Sequence, residues 1–360
     1  MDIAIFGAGI AGLMAAITLR AQGHHCRVYE RSRQSHEAGM GFILVPEVSN
    51  RLREFHIHLT GVQLEYYCCR NSAGEIVHEE KLQDGTRTIR RRDLIATLGA
   101  ALAGEDSLSF DSELVGLEFD QTGQITSARL SSGLNVKADL YVAADGGGSC
   151  ARQVIFPDWP APPSRVMETV GLVRSASALQ WTRLNFNKFH APGGGIAVGV
   201  LPVDAEHVIW YMQFDAGRFQ PPEENADARQ AFVQKLAGNW AEPIPHLLAL
   251  TDFTRVHLWC PLDADPVPRF HQGNLVLVGD AAHPLSPFTS QGVASAIADA
   301  IALASSVDAV VNRKSTLAQA LSGYSVERRA KCAPFVSKGR ELTRGFLEPL
   351  SAKSFLLPIA

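Results

Sequence analysis

Three features of this 360-residue chain predict an α/β fold: a βαβ-type opening, a middle rich in alternating strand-like segments, and a helical stretch from about Gln291 onward. Residues 3–6 form a continuous apolar run ending at Gly7, which suits a strand buried on both faces of a parallel sheet. Residues 10–22 are rich in Ala, Leu, Ile and Met and stop at Gly23, a helix C-cap residue, and residues 26–29 give a second strand.

The middle changes character. Runs at 62–69 and 76–80 flank the turn Asn71-Ser72-Ala73-Gly74, and residues 121–123 and 131–133 punctuate a meander in the same way. Between them, residues 91–103 are helical by pattern. The proline cluster at 157–163 reads as a crossing between domains. Beyond it, residues 181–189, 195–201 and 207–214 predict an antiparallel sheet. The last of these puts Val208, Trp210, Met212 and Phe214 on one face and Ile209, Tyr211 and Gln213 on the other. A second proline-rich passage, 261–268, leads to an apolar strand at 275–278.

Composition narrows the function classes. With 46% hydrophobic and 19% charged residues, the chain can build one large or two medium domains and is neither disordered nor fibrous. A net charge of -4 gives no electrostatic reason to expect nucleic acid as partner. No run approaches the roughly 20 apolar residues of a membrane span, and the first residues lack a basic signal-peptide start. The six cysteines form no CxxC pair, so reduced thiols, no metal centre and a cytoplasmic location are expected.

Gly7-Ala8-Gly9-Ile10-Ala11-Gly12 is a G-x-G-x-x-G placed between a buried strand and a helix. The first glycine permits the tight turn, the second admits a pyrophosphate to the backbone, and the third lets helix and strand pack closely. Glu30 lies 23 residues beyond Gly7, near the spacing of about 20 at which an acid accepts hydrogen bonds from a ribose. These features predict dinucleotide binding without separating FAD from NAD.

Four further segments carry a resemblance. Asp139-Leu140-Tyr141-Val142-Ala143-Ala144-Asp145-Gly146-Gly147-Gly148-Ser149-Cys150-Ala151-Arg152 and Gly279-Asp280-Ala281-Ala282-His283-Pro284, with Pro287 and Gln291-Gly292 behind it, resemble the DG and GD motifs of the single-component FAD-dependent aromatic hydroxylases, the p-hydroxybenzoate hydroxylase-like flavoprotein monooxygenases. Arg91-Arg92-Asp93-Leu94 is similar to that family's R-x-x-L element, and Tyr324-Ser325-Val326-Glu327-Arg328 to its Y-x-x-x-R.

The resemblance spans nearly the whole chain. It implies a Rossmann-like FAD-binding domain with an inserted antiparallel β-sheet substrate domain. The FAD-binding part would comprise residues 1–61, 88–163 and 264–345, the sheet domain 62–87 and 164–263, and a tail 346–360. It also implies site residues: Gly7, Gly9, Ala11, Gly12, Glu30 and Arg31 around the adenosine end; Arg91 at the phosphate and ribityl region; Val115 near the adenine; Asp145 in the DG turn; Asp280 on the ribityl chain; and Gln291, Gly292 and Val293 at the ring. The implied reaction is hydroxylation of an aromatic or conjugated electron-rich small molecule with NADPH or NADH and dioxygen, through a flavin C4a-hydroperoxide, by a monomer or homodimer.

Residues 287–292 precede an Ala-rich helix whose free N–H groups and positive dipole end would stabilise the negative charge of a reduced flavin. Around the substrate the candidates are Pro287, Tyr211 and Glu47. Tyr211 is either a hydrogen-bond partner of a substrate hydroxyl or a sheet tyrosine with its OH at the surface. Glu47, where many relatives have Asn after the proline, is either a base toward a phenol or an exposed helix-start residue. His283 reads as motif structure. Phe288, Trp210, Met212 and Phe186 hint at a flat apolar substrate, and no arginine stands out as a carboxylate clamp, with Arg183 and Arg174 left open. Ser290 stands where the family often has glycine.

Two other enzyme readings use the same fold: a flavin reductase or dehydrogenase resembling geranylgeranyl reductases, and a flavin-dependent halogenase, whose usual W-x-W-x-I-P-like segment this chain lacks. A non-catalytic flavin-binding partner protein is the reading from another class. Oxygen insertion and substrate-stimulated NAD(P)H consumption separate these readings.

Overall fold

A computed structural model describes residues 1–33, 41–102 and 107–350 of the chain. Strand β1 (Asp2–Phe6), helix α1 (Ile10–Ala21) and strand β2 (His25–Tyr29) form the expected opening. Next come β3 (Gly41–Leu44), α2 (Pro46–Arg53), β4 (Val62–Gln63), β5 (Tyr66–Asn71), β6 (Ile76–Lys81), β7 (Arg87–Arg90) and α3 (Arg91–Ala101). They are followed by β8 (Leu108–Ser109), β9 (Leu114–Phe119), β10 (Ile125–Leu130), β11 (Asn135–Val136), β12 (Leu140–Ala143) and α4 (Cys150–Ile155). Then come β13 (Val166–Arg174), α5 (Ala176–Thr182), β14 (Phe186–His190), β15 (Ile196–Pro202), β16 (His207–Asp215), α6 (Ala226–Ala237), α7 (Ile244–Leu250) and β17 (His257–Trp259). The chain closes with β18 (His271–Gln272), β19 (Leu275–Leu277), α8 (Gly292–Val311) and α9 (Leu317–Leu347).

Two large sheets organise these elements. The first has the order β18-β19-β12-β1-β2-β8, and β19, β12, β1, β2 and β8 run parallel. Ile3, Ile5, Val28, Val142 and Val276 are buried on it, as a sheet covered on both faces requires. Helix α1 packs against α8, and Thr18 Oγ1 donates to the Ala300 carbonyl at 3.2 Å. The second sheet, β17-β13-β16-β15-β14-β5-β6, is antiparallel except where β14 pairs with β5. Helices α6 and α7 back it over a core that includes Trp210, Met212, Val233 and Leu247.

Several sequence expectations change. Residues 181 and 182 are helical: Ser175 caps α5 by accepting the Ala178 N–H, and the strand starts only at Phe186, after Arg183 and Leu184 in left-handed conformation. Strand β13 had no counterpart in the pattern reading, and neither did α6 or α7. β4 pairs with β7, and β7 with β3, so this small sheet straddles the expected boundaries at 61/62 and 87/88. Residue 103 of the expected helix and residues 351–360 of the expected tail lie outside the described residues. Helix α8 is, by length and apolarity, long enough to cross a membrane, but half of it is buried inside the protein and it carries Asp299 and Asp308. All six cysteines are free thiols, four of them buried.

Candidate active site

The glycine loop builds one end of a cleft. Gly7 has φ +105°, and a Cβ there would collide with the Ala144 carbonyl of the DG segment. A Cβ on Gly12 would collide with the Gly7 carbonyl, so these two glycines set how closely strand, helix and the DG segment approach. A Cβ on Gly9 would meet nothing within 4 Å, and no side chain caps α1. The loop backbone is therefore open toward a cavity of about 330 Å³ lined by Gly9, Glu30, Arg31, Arg91, Leu114 and Asp145. Glu30 closes that end: Oε2 accepts the Ala8 N–H at 2.7 Å, and Oε1 accepts from the Ser32 backbone and hydroxyl at 3.0 and 2.8 Å. Burial alone would raise its pKa, but these bonds and the Arg31 charge hold it below the ordinary value. Ala11 packs under Gly279. Val115 is 42% exposed, while its neighbour Leu114 lines the cavity, because successive strand residues point to opposite faces.

Arg91 lines the same cavity, and the charge of Asp280 acts on it. Arg91 lies at the first position of α3 with its guanidinium 5.8 Å from the Phe42 ring centre, and its Nε is buried with no partner among the described residues. Burial lowers its pKa, while the charges of Asp280 and Glu30 act to raise it, so one arginine feels both ends of the cleft. Asp280 is solvent-accessible yet surrounded by protein; that desolvation raises its pKa against the opposing pull of His283, Arg91 and Arg152. Asp145 accepts the Ala151 N–H at 3.2 Å through Oδ2 and leaves Oδ1 buried without a partner among the described residues.

The loops bearing these acids are tied together by residues whose roles the sequence did not disclose. Arg152 donates to the carbonyls of Asp280 and Ala281 at 3.1 Å and to that of Gly147, and its guanidinium lies 4.6 Å from the Trp159 ring centre. His283 is bound to Asp299 at 2.6 Å, and Tyr324 donates to the Leu277 carbonyl at 3.1 Å. The Y-x-x-x-R pair thus fastens α9 to the sheet and to α8. His283, Asp299 and Cys332 bring possible metal-ligating atoms within 4.8 Å of one another, but the Arg328 guanidinium already neutralises that carboxylate.

The second large sheet presents three successive rows to the cleft. Leu172 lies beside Ile209, Ile209 beside Leu201, and Phe186 beside Tyr67, giving an apolar row. One side-chain repeat further, the row reads Val170, Tyr211, Gly199, Lys188, Cys69. Another repeat on, it reads Glu168, Gln213, Ala197, His190, Asn71. Tyr211 leans over Gly199, where a Cβ would collide with its ring. Lys188 is 3% exposed, with Nζ 5.0 Å from the ring centre of Phe288, in the turn Pro287–Thr289 just before α8. No side chain caps α8, whose first residues are Gly292 and Val293 with Gln291 before them.

The predicted substrate residues separate accordingly. Tyr211 and Phe186 are on the cleft-facing side, as is Pro287 through its neighbour Phe288. Glu47 is not: it stands 73% exposed at the start of α2, 3.4 Å from Arg51, in the position that favours an acid at a helix N-terminus. Trp210 and Met212 belong to the core on the opposite face, where Trp210 Nε1 donates to Thr251 Oγ1 at 2.8 Å. Arg174 pairs with Glu206 at 2.6 Å on the surface, and Arg183 lines a groove on the sheet's far side with Arg70 and Trp181. Lys188 and Glu168 were missed. A lysine inside the strand Phe186–His190, flanked by aromatic residues, was the available signal for the first; Glu168 lay in a strand the pattern reading did not recognise.

The residues present fit FAD. Among the described residues the Gly9 backbone is open, Arg91 Nε and Asp145 Oδ1 are buried without partners, and no side chain caps the α8 N-terminus.

Comparison with known proteins agrees with this geometry. Residues 89–338 match the family described as FAD binding domain, and residues 5–35 match the NAD(P)-binding Rossmann-like domain. The chain is 29% identical over 367 residues to an FAD-dependent urate hydroxylase of Mycolicibacterium vanbaalenii, covering 95% of this chain and 87% of the relative. It is 27% identical over 362 residues to a 6-hydroxynicotinate 3-monooxygenase of Pseudomonas fluorescens, covering 91% and 88%. Its fold superposes on the crystal structure of Klebsiella pneumoniae HpxO complexed with FAD and uric acid with a TM-score of 0.83, at 24% identity, over 95% of this chain and 87% of that one.

Proposed function

The chain belongs to the FAD binding domain family, and from that premise we propose that it is an FAD-dependent monooxygenase that uses NADPH or NADH and dioxygen to hydroxylate an aromatic or conjugated, electron-rich small molecule. The observation that carries this reading is the cavity of about 330 Å³ in which the glycine loop, Glu30, Arg91 and Asp145 converge. The charge of Asp280 acts on Arg91 beside it, and Lys188 of the second sheet lies over Phe288, just before α8.

In this reading Gly7, Gly9, Ala11 and Gly12 shape the loop under the pyrophosphate, Glu30 and Arg31 hold the adenosine ribose, and Leu114 with the Val115 backbone borders the adenine. Arg91 neutralises phosphate charge, while Asp145 and Asp280 hydrogen-bond the sugar chain. Bound FAD supplies the redox chemistry, passing electrons from NAD(P)H to dioxygen. Gln291, Gly292 and Val293 present backbone N–H groups to the ring's electron-rich edge. The apolar row around Ile209, Leu201 and Phe186 excludes water above it, and Tyr211 orients the substrate by hydrogen bonding.

Residues 1–61, 88–163 and 264–345 act here as the FAD-binding unit, and 62–87 with 164–263 as the substrate-covering unit, apart from the small shared sheet of β3, β7 and β4. The free cysteines favour a reducing, cytoplasmic setting, with the chain working as a monomer or homodimer. The test is purification with bound FAD, followed by substrate-stimulated NAD(P)H oxidation over a panel of phenols, N-heteroaromatic acids and polycyclic ketones. Product formation instead of peroxide supports the reading. Failure to bind or be reconstituted with FAD refutes it.

A further inference from the structure

The cleft-facing side of the second sheet carries polar atoms that the protein itself does not satisfy. Lys188 is 3% exposed, yet among the described residues its Nζ has neither a hydrogen bond nor an ion pair; it lies over the face of Phe288 and feels the charge of Glu168 in the next row. Gln213, 3% exposed, donates through Nε2 to Glu168 Oε2 at 3.0 Å and leaves its own Oε1 buried without a partner among the described residues. His190 Nε2, in the same row, is likewise buried and unpaired among them. Buried polar atoms are nearly always satisfied, so several orphans in two adjacent rows point to a polar ligand edge that completes them. The neighbouring row is apolar, so the ligand must be polar at one edge only.

We propose that Glu168 and Lys188 select a substrate whose ring carries an acidic hydroxyl or lactam group, with Glu168 removing the proton from that group and Lys188 holding the oxyanion that results. The proposal rests on the hydroxylase reading of the cleft. In the step, the substrate O–H or N–H bond breaks, the proton joins the Glu168 carboxylate to give a carboxylic acid, and the electron pair stays on the substrate. One negative charge moves from Glu168 to the substrate beside Lys188, and no oxidant is consumed. The charge delocalises into the ring and makes it more electron-rich, which is what hydroxylation requires. Glu168 returns the proton as the product leaves.

Three features of the sheet support this assignment. Glu168 and Gln213 are directly opposite across β13 and β16, so one carboxylate oxygen is fixed and Oε1 carries no bond among the described residues. Tyr211, leaning over Gly199, lies in the same row as Lys188. Glu47, the base suggested by the sequence, is at the surface. The charges also suit the task. Burial pushes Glu168 up to about 7, partly offset by the Gln213 hydrogen bond and the Lys188 charge, and burial pushes Lys188 down to about 8. The other titratable groups in these rows are kept neutral: burial raises Tyr211, Tyr67 and the Cys69 thiol and lowers His190 to about 3.

The test uses the FAD-loaded enzyme and two probes, 3-nitrophenol and its methyl ether 3-nitroanisole, in buffer above about pH 7, where Glu168 is ionised, and below the higher solution pKa of this phenol. The phenolate has its own absorption band, so a difference spectrum reads ionisation directly. Wild type is expected to bind nitrophenol as the phenolate and at least about tenfold more tightly than nitroanisole. E168Q should bind nitrophenol without the phenolate band, E168D should recover part of it, and K188M should lose the tenfold preference while binding nitroanisole unchanged. Equal binding of the two probes by wild type, absence of binding, or a phenolate band unaffected by E168Q would overturn the proposal. FAD content and labelled-oxygen incorporation on the same samples keep the two failures apart. If hydroxylation persists without a phenolate band, only the proposal fails; if FAD is not bound, the hydroxylase reading fails with it.

Discussion

Arg328 donates its Nε–H to Asp299 Oδ1 at 2.6 Å, with both side chains buried between α8 and α9. The second oxygen of the same carboxylate bonds His283 at 2.6 Å and the Gly279 N–H at 2.8 Å. A single acid therefore fixes the loop that presents Asp280 to the cleft. Burial alone would lower the His283 pKa, but the charge and hydrogen bond of Asp299 raise it well above the ordinary value. Burial would raise Asp299, but His283 and Arg328 hold it below.

Removing that carboxylate leaves a buried guanidinium and imidazole without a counter-charge. Asp299→Ala should cost about 3 kcal/mol or more of unfolding free energy in urea titrations, with FAD retention falling alongside. Unchanged stability would show that the cluster does not hold the loop.

Among the described residues the Asp280 side chain makes no hydrogen bond or ion pair, so its loss should be felt mainly by the cofactor. Asp280→Ala is expected to fold normally and lose FAD on gel filtration, whereas Tyr211→Phe keeps FAD and changes turnover. Full FAD occupancy in Asp280→Ala would contradict the placement of the sugar chain.

Ser290 has φ +53°, a left-handed conformation that costs an ordinary residue roughly 1–2 kcal/mol and that glycine adopts freely. Ser290→Gly should leave thermal stability within about 1 kcal/mol of wild type, because relief of strain is offset by added chain entropy, while Ser290→Val should lower it clearly. Equal stability of the two variants would argue against the strained turn.

The pH profile follows from the two charges at the sheet. Glu168 must be ionised to accept a proton, so kcat/KM rises with pH through about 7; Lys188 must be charged to hold the oxyanion, so it falls through about 8. The two limbs belong to the coupled pair. E168Q should abolish the acid limb and K188M the alkaline limb; a flat profile in wild type would contradict both roles.

Local features were legible in the sequence. The run at 3–6, the three glycines and Glu30 are set by short-range geometry, and each lies where the spacing predicts. What was illegible depends on pairings that the chain closes over long distances. Arg152 reaches Asp280 across 128 residues, and Lys188 of the second sheet meets Phe288 in the turn before α8. Glu168 sits in β13, where Met167, Glu168 and Gly171 interrupt any simple alternation, so the strand that carries it gave no periodic signal. Trp210 and Tyr211 show the limit from the other side: alternation placed them on opposite faces, but only the sheet's neighbours reveal which face meets the cleft.

The central claim is oxygen insertion by a flavin-bound chain. The most direct measurement is mass spectrometry of product formed by the purified, FAD-loaded protein under isotopically labelled dioxygen with NADPH or NADH and a hydroxylated aromatic or heteroaromatic substrate. The account predicts one labelled oxygen atom in each product molecule and none when FAD is removed. An oxidised product free of label would contradict it and assign the fold to a reductase or dehydrogenase.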